Sequence, residues 1–236
     1  SERKKIVLKI KGGTDVAWSM PYDYLVNVLF PQLTSWADIE SKLVKRGYYP
    51  KGGGEIELII KPKGKKELIL LEQGKLVQIK GVVNASKSLQ EKGVVERIAQ
   101  TSELMLKRFD NPINVRREYC ESYSDGCGIV LWGVFSKNGD ANIDPVRVGS
   151  DALGEKRKSS EQVGKECVEK LVKEIESGAP VDVHLADNLI IYLGMVGGQI
   201  KVSSVSDHVL SAIYVVEQFL DVKFKVEQNL ITVEQV

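Results

Sequence analysis

The sequence predicts an α/β fold of layered helices and strands. Helix-like and strand-like periodicities alternate along 236 residues, and 43% apolar with 28% charged residues suits a chain that buries a core. The longest stretch free of Asp, Glu, Lys and Arg, Tyr24–Ala37, has 14 residues and contains Pro31, where a membrane span needs ~20 apolar ones.

Ile6, Leu8 and Ile10 alternate with Lys5, Lys9 and Lys11, which predicts a half-buried strand over 5–11. Gly12-Gly13-Thr14-Asp15 follows as a turn. Pro21 stands where a first helical position would be, ahead of Leu25, Val26, Val28 and Leu29, and Pro31 ends or kinks that helix. Residues 36–49 are ambiguous by pattern. The glycine-rich run after Arg46 leads into an alternating strand over 55–60, so a hairpin is expected. A basic turn at 61–66 and a strand over 76–83 come next.

From about 76 to 153 the texture changes. A helix over 94–109 and strands over 115–121 and 128–135 read as a small α/β block inserted in a larger one, and the 128–135 strand, apolar on both faces, should be central in its sheet. Asn138-Gly139-Asp140 marks a turn. Ser159 and Gln162 have capping-box spacing ahead of a long helix that Gly178 stops. A shorter helix over 185–193, a strand over 199–205, a helix over 208–220 and strands over 223–227 and 230–233 complete the order. No repeat is detectable in the sequence itself.

The charges nearly cancel, 33 Lys and Arg against 32 Asp and Glu, so a nucleic-acid partner would be gripped locally rather than by bulk charge. Three cysteines without a Cys-x-x-Cys pair, and two histidines, predict free thiols and no structural zinc. With no signal-peptide core at the first residues, the expectation is a cytoplasmic protein without membrane contact.

Three segments stand out chemically. In Arg46-Gly47-Tyr48-Tyr49-Pro50-Lys51-Gly52-Gly53-Gly54-Glu55 the glycines permit tight turns and close backbone approach; on composition alone it reads as a hairpin loop, and no Walker-type Lys-Ser/Thr follows. His208, after Ser206-Asp207, falls at a helix start, where amide donors and the dipole attract anions and disfavour a protonated imidazole; an uncharged imidazole there is a competent nucleophile, although a lone histidine at a helix start is more often structural. His184, Leu185, Ala186, Asp187 and Asn188 offer an acceptor and an amide that suit a ribose or base edge, or simply a cap.

Together these segments resemble the RNA 3'-terminal phosphate cyclase family. The run from Arg46 to Ile56 is similar to the family signature, Arg/His-Gly-x-x-Pro-x-Gly-Gly-Gly-x-aliphatic, at every fixed position, and Gly12-Gly13-Thr14-Asp15, Ala152-Leu153-Gly154-Glu155-Lys156, the 184–189 run and His208 with Ala212-Ile213 follow in order. The resemblance implies a large domain of repeated α/β units, here 1–75 and 154–236, with a smaller α/β domain, 76–153, inserted. It implies that His208 is adenylated by ATP, that AMP passes to an RNA 3'-phosphate, and that the 2'-hydroxyl then closes a 2',3'-cyclic phosphate. It further implies ATP contacts at His184, Leu185, Ala186, Asp187 and Asn188, with Pro21 and Tyr24 near the adenine, and a divalent cation, magnesium by expectation, with no ligand set named. The family often has Tyr in place of His184 and Gln in place of Asn188. By the same resemblance the chain looks like a C-terminal portion whose N-terminal third, with its basic and glutamine residues, is a partner alongside RNA 3'-phosphate ends. The alternative is a non-catalytic cyclase-like module that binds RNA or serves ribosome assembly; those relatives share the glycine signature but lack the nucleophilic histidine.

Overall fold

The structure, a computed structural model, describes residues 4–140 and 145–235. The first sheet comprises β1 (Ile6–Gly12), β2 (Ala37–Lys45) and β3 (Gly54–Pro62) in the order β1-β3-β2, all antiparallel. The ambiguous 36–49 stretch is thus largely strand. Its register sets Ile39, Ile60 and Ile6 in one row and Leu43, Ile56 and Ile10 in another, while Glu40 and Asp38 on the other face pair with Lys61 and Lys63 at 2.7 and 2.6 Å.

β1 departs from the half-buried expectation. Its residues are exposed on both faces, with Ile6 at 45% and Ile10 at 44%. It is an edge strand paired on one side, and only at its end do Met20 and Leu25 join Ile10 and Ile56 around a shallow hollow.

A helical run over 22–32 follows, with a π-helical middle at Leu25–Leu29. Pro21 is its cap rather than its first helical residue, and Pro31 lies inside its last turn. Lacking an N–H, Pro31 cannot serve the carbonyl four residues back; Arg147 Nη1 donates to that Asn27 carbonyl at 2.8 Å instead.

After the short β4 (Leu68–Leu70), the strands β5 (Lys75–Ser86), β6 (Ile113–Cys120), β7 (Cys127–Ser136) and β8 (Val146–Leu153) form a sheet in the order β6-β5-β7-β8. β5 and β6 are parallel, and the helix Val94–Leu106 makes the crossover. β7 is interior and buried along nearly its whole length, as its unbroken apolar run predicts. Ile129, Leu131 and Phe135 face the helices Val94–Leu106 and Ser160–Glu176, whereas Val130, Trp132 and Val134 face the 22–32 run and the helix Val183–Val196. The 76–153 block therefore holds its own sheet, and the Ser160–Glu176 helix, which follows it, packs on that sheet as well. Ser159 caps that helix through the expected reciprocal bonds with Gln162.

The last sheet joins β9 (Gly198–Lys201), β10 (Val222–Glu227) and β11 (Leu230–Gln235) to β4 in the order β10-β11-β9-β4, with the helices Val183–Val196 and Asp207–Phe219 packed together on it. Gly194 is the point of closest approach: a Cβ there would lie 2.6 Å from Val216 Cγ1. The three cysteines are free thiols. No helix among the described residues is long and apolar enough to cross a membrane.

Candidate active site

The two predicted segments around His184 and His208 meet through the chain that precedes each helix. Val181 and Val202 form a parallel bridge, and the Ser203 N–H donates to the Val181 carbonyl at 2.8 Å. The segments leading into the two helices are therefore adjacent, and the helices pack together. His208 stands exposed in the first turn of its helix, where Ser206 Oγ accepts from the Val209 N–H at 3.3 Å. His184 and Asn188 are exposed and Asp187 is half-buried in the first turns of the other.

The remaining predicted contacts are interior. Leu185, Ala186 and Tyr24 are fully buried, and Pro21 is buried. The Leu185 and Ala186 side chains anchor the helix in the core beside it. Asn188 Nδ2 donates back to the His184 carbonyl at 2.8 Å and to Asp187 Oδ1 at 2.7 Å, so the Asp–Asn pair is preset as one polar unit.

Beneath this turn lies a buried polar joint that the sequence reading did not anticipate. The Asp182 carboxylate caps the helix, with Oδ1 accepting from the His184 and Leu185 N–H groups at 3.0 and 2.9 Å. The same oxygen accepts the Tyr24 hydroxyl at 2.5 Å, and Oδ2 accepts the Gly149 N–H at 2.7 Å. Burial holds the Asp182 carboxyl above the usual carboxylate range although these donors pull it down, and burial together with Asp182 pushes the Tyr24 phenol well up. Two residues beyond Gly149 on β8, hence on the same face, Asp151 Oδ1 stands 4.0 Å from His184 Nε2, and burial raises its carboxyl too. The available signal was Asp182 itself, an acid just before an apolar helical stripe; its partner Tyr24 is 158 residues away.

The glycine signature is a structural clasp. Arg46 is buried with Nη1 3.2 Å from Asp15 Oδ2 and Nη2 2.8 Å from Glu118 Oε2 on β6. Asp23 Oδ2 lies 2.7 Å from Nη2 as an ion pair outside hydrogen-bond alignment. Burial opposes the guanidinium charge, but Asp15 and Asp23 outweigh it and hold Arg46 above its ordinary range. The Tyr48 hydroxyl donates to Asn84 Oδ1 at 2.7 Å, and a Cβ on Gly126 would strike the Tyr48 ring at 2.3 Å. A Cβ on Gly47 would meet Gly54 N at 2.3 Å. These glycines let the hairpin close on itself and dock on the β5–β8 unit.

A family model described as RNA 3'-terminal phosphate cyclase matches residues 1–226. The chain belongs to the RNA 3'-terminal phosphate cyclase family. Curated relatives of that name agree: the protein of Pyrococcus furiosus is 38% identical over 224 residues, 94% of this chain and 63% of its own length. That of Pyrococcus abyssi is 37% identical over 227 residues, 95% and 64%, and that of Methanosarcina barkeri 38% over 229, 96% and 64%. The chain thus spans a little under two thirds of the curated relatives it matches. Among the described residues no group of three or more His, Cys, Asp and Glu is placed to hold a metal ion.

Proposed function

We propose that the protein to which this chain belongs converts an RNA 3'-terminal phosphate to a 2',3'-cyclic phosphate using ATP, with His208 as the nucleophile. What supports the reading is an exposed histidine in the first turn of the Asp207–Phe219 helix, together with His184, Asp187 and Asn188 in the first turns of the Val183–Val196 helix, the two leading segments being joined at Val181 and Val202.

In the first step an imidazole nitrogen of His208 attacks the α-phosphorus of ATP; the P–N bond forms, the bond to pyrophosphate breaks, and pyrophosphate leaves. A phosphate oxygen of the RNA end then attacks the same phosphorus, the P–N bond breaks, and the imidazole is regenerated. In the last step the adjacent 2'-hydroxyl attacks the RNA phosphorus, loses its proton and expels AMP. The covalent stage splits one difficult substitution into easier ones, because AMP leaves where oxide could not. Helix-start amides near His208 favour the phosphoryl group that it receives. Asp187 and Asn188 supply an acceptor and an amide for the ribose or base, and His184 a ring face. The divalent ion of this reading would come with the triphosphate, as magnesium usually keeps phosphate and water ligands, and this chain's described residues offer it no ready-made cage.

The test is an RNA ending in a labelled 3'-phosphate, incubated with ATP and the full-length protein. The label should become resistant to phosphatase and AMP should be released in equal amount. RNA binding with neither change would favour the non-catalytic module instead.

A further inference from the structure

We infer that Asp182 and Tyr24 are positioning residues, a tether that fixes the turn carrying His184 and Asp187 relative to β8 and the 22–32 helical run. The inference rests on the reading of 184–188 as the nucleotide's docking turn. A cap needs far less than this: Ser206, half-buried, caps the adjacent helix with a single side-chain bond. Asp182 instead spends one oxygen on the cap and the Tyr24 hydroxyl and the other on the Gly149 N–H, all without solvent. A carboxylate withdrawn from water costs free energy that an apolar residue would not, and in some proteins a buried polar group of this kind serves to specify one geometry.

The surroundings are cut to fit the tether. A Cβ on Gly149 would lie 2.8 Å from both Tyr24 Cε2 and Val28 Cγ2, so only a glycine lets the Tyr24 ring cross β8. From there the ring meets His184 edge-on at a centroid distance of 6.3 Å. β8 supplies the N–H that holds Asp182 and, on the same face, the Asp151 carboxylate opposite His184. Three elements far apart in sequence thereby set where one exposed imidazole stands.

Two substitutions cut the tether while leaving the cap. Asp182→Asn keeps the oxygen that accepts from His184 and Leu185 but turns an amide donor toward Gly149; Tyr24→Phe deletes one hydroxyl. Both are made in the full-length protein and followed by histidine side-chain NMR, with signals assigned from His184→Gln and His208→Ala, and by ATP titration of histidine labelling. The expected result is a shifted His184 signal beside an unmoved His208 signal. The ATP concentration for half-maximal labelling should rise at least tenfold, with the maximal labelling rate within about twofold. A merely structural bond would lower the melting temperature and change neither His184 nor the ATP requirement, and that outcome would overturn the inference. Should Asp182→Asn not fold, Tyr24→Phe carries the test alone. If ATP labels nothing in the parent, the nucleotide reading fails separately, and an unmoved His184 signal in both variants still overturns the tether.

Discussion

Arg46 Nη2 lies 2.8 Å from Glu118 Oε2, and this contact joins the first residue of the glycine signature to the middle of β6, 72 positions along the chain. The signature is therefore held at its charged end by the β5–β8 unit and at its glycine end by β1. Removing the cation would strip buried Asp15 and Asp23 of their shared guanidinium, leaving Asp23 with the more distant Arg116 at 3.6 Å. Arg46→Ala should cost roughly 3–5 kcal/mol, and Arg46→Lys a substantial part of that because one ammonium cannot reach three carboxylates in a fork. Urea unfolding of parent and variants measures both.

Two signature glycines, Gly47 and Gly53, and Gly12 at the end of β1 should differ sharply from one another. A Cβ at Gly47 meets only backbone, at 2.3 and 2.7 Å, so Gly47→Ala should cost about 3 kcal/mol or more. At Gly53, with φ +71°, a methyl meets the movable, exposed Tyr123 ring; the expected loss is about 1–2 kcal/mol, partly recovered with Tyr123→Ala. Gly12 faces open space, and Gly12→Ala should fall within about 0.5 kcal/mol of the parent. Equal losses at all three positions would contradict the packing described.

Cys167 is fully buried against β7 and β8, and burial pushes its thiol up to about 12. An acid raised by folding stabilises the native state fully below its unfolded value, near 9, and that contribution is lost as pH rises toward the folded value. The stability advantage of the parent over Cys167→Ala should stay constant below pH 9 and then close by up to about 1.4 kcal/mol per pH unit. At pH 8 a thiol reagent should modify Cys120 and Cys127 first and Cys167 only as fast as the core opens.

Much of the fold was legible because local pattern and tertiary role agree. β7 carries apolar residues on both faces because both faces are covered, and Ser159 with Gln162 forms the box its spacing announces. β8 is not legible in the sequence because its residues answer to distant partners: Gly149 clears space for Tyr24, Ser150 Oγ donates to the Cys167 carbonyl at 2.8 Å, and Asp151 faces His184. Those demands break the apolar alternation that marks a strand. β4, with three residues, is too short to carry a period. At the candidate site the histidines were visible as helix-start residues, but Tyr24 is a support beneath the turn rather than a surface contact. Its partner across the sheet is set by topology, which no local pattern contains.

The most direct measurement is mass and radiolabel analysis of the full-length protein after incubation with ATP labelled at the α-phosphate. An acid-labile, alkali-stable AMP adduct mapped to His208, absent in His208→Ala, is the predicted result. A parent that acquires no adduct, or a His208→Ala variant that still does, would contradict the account.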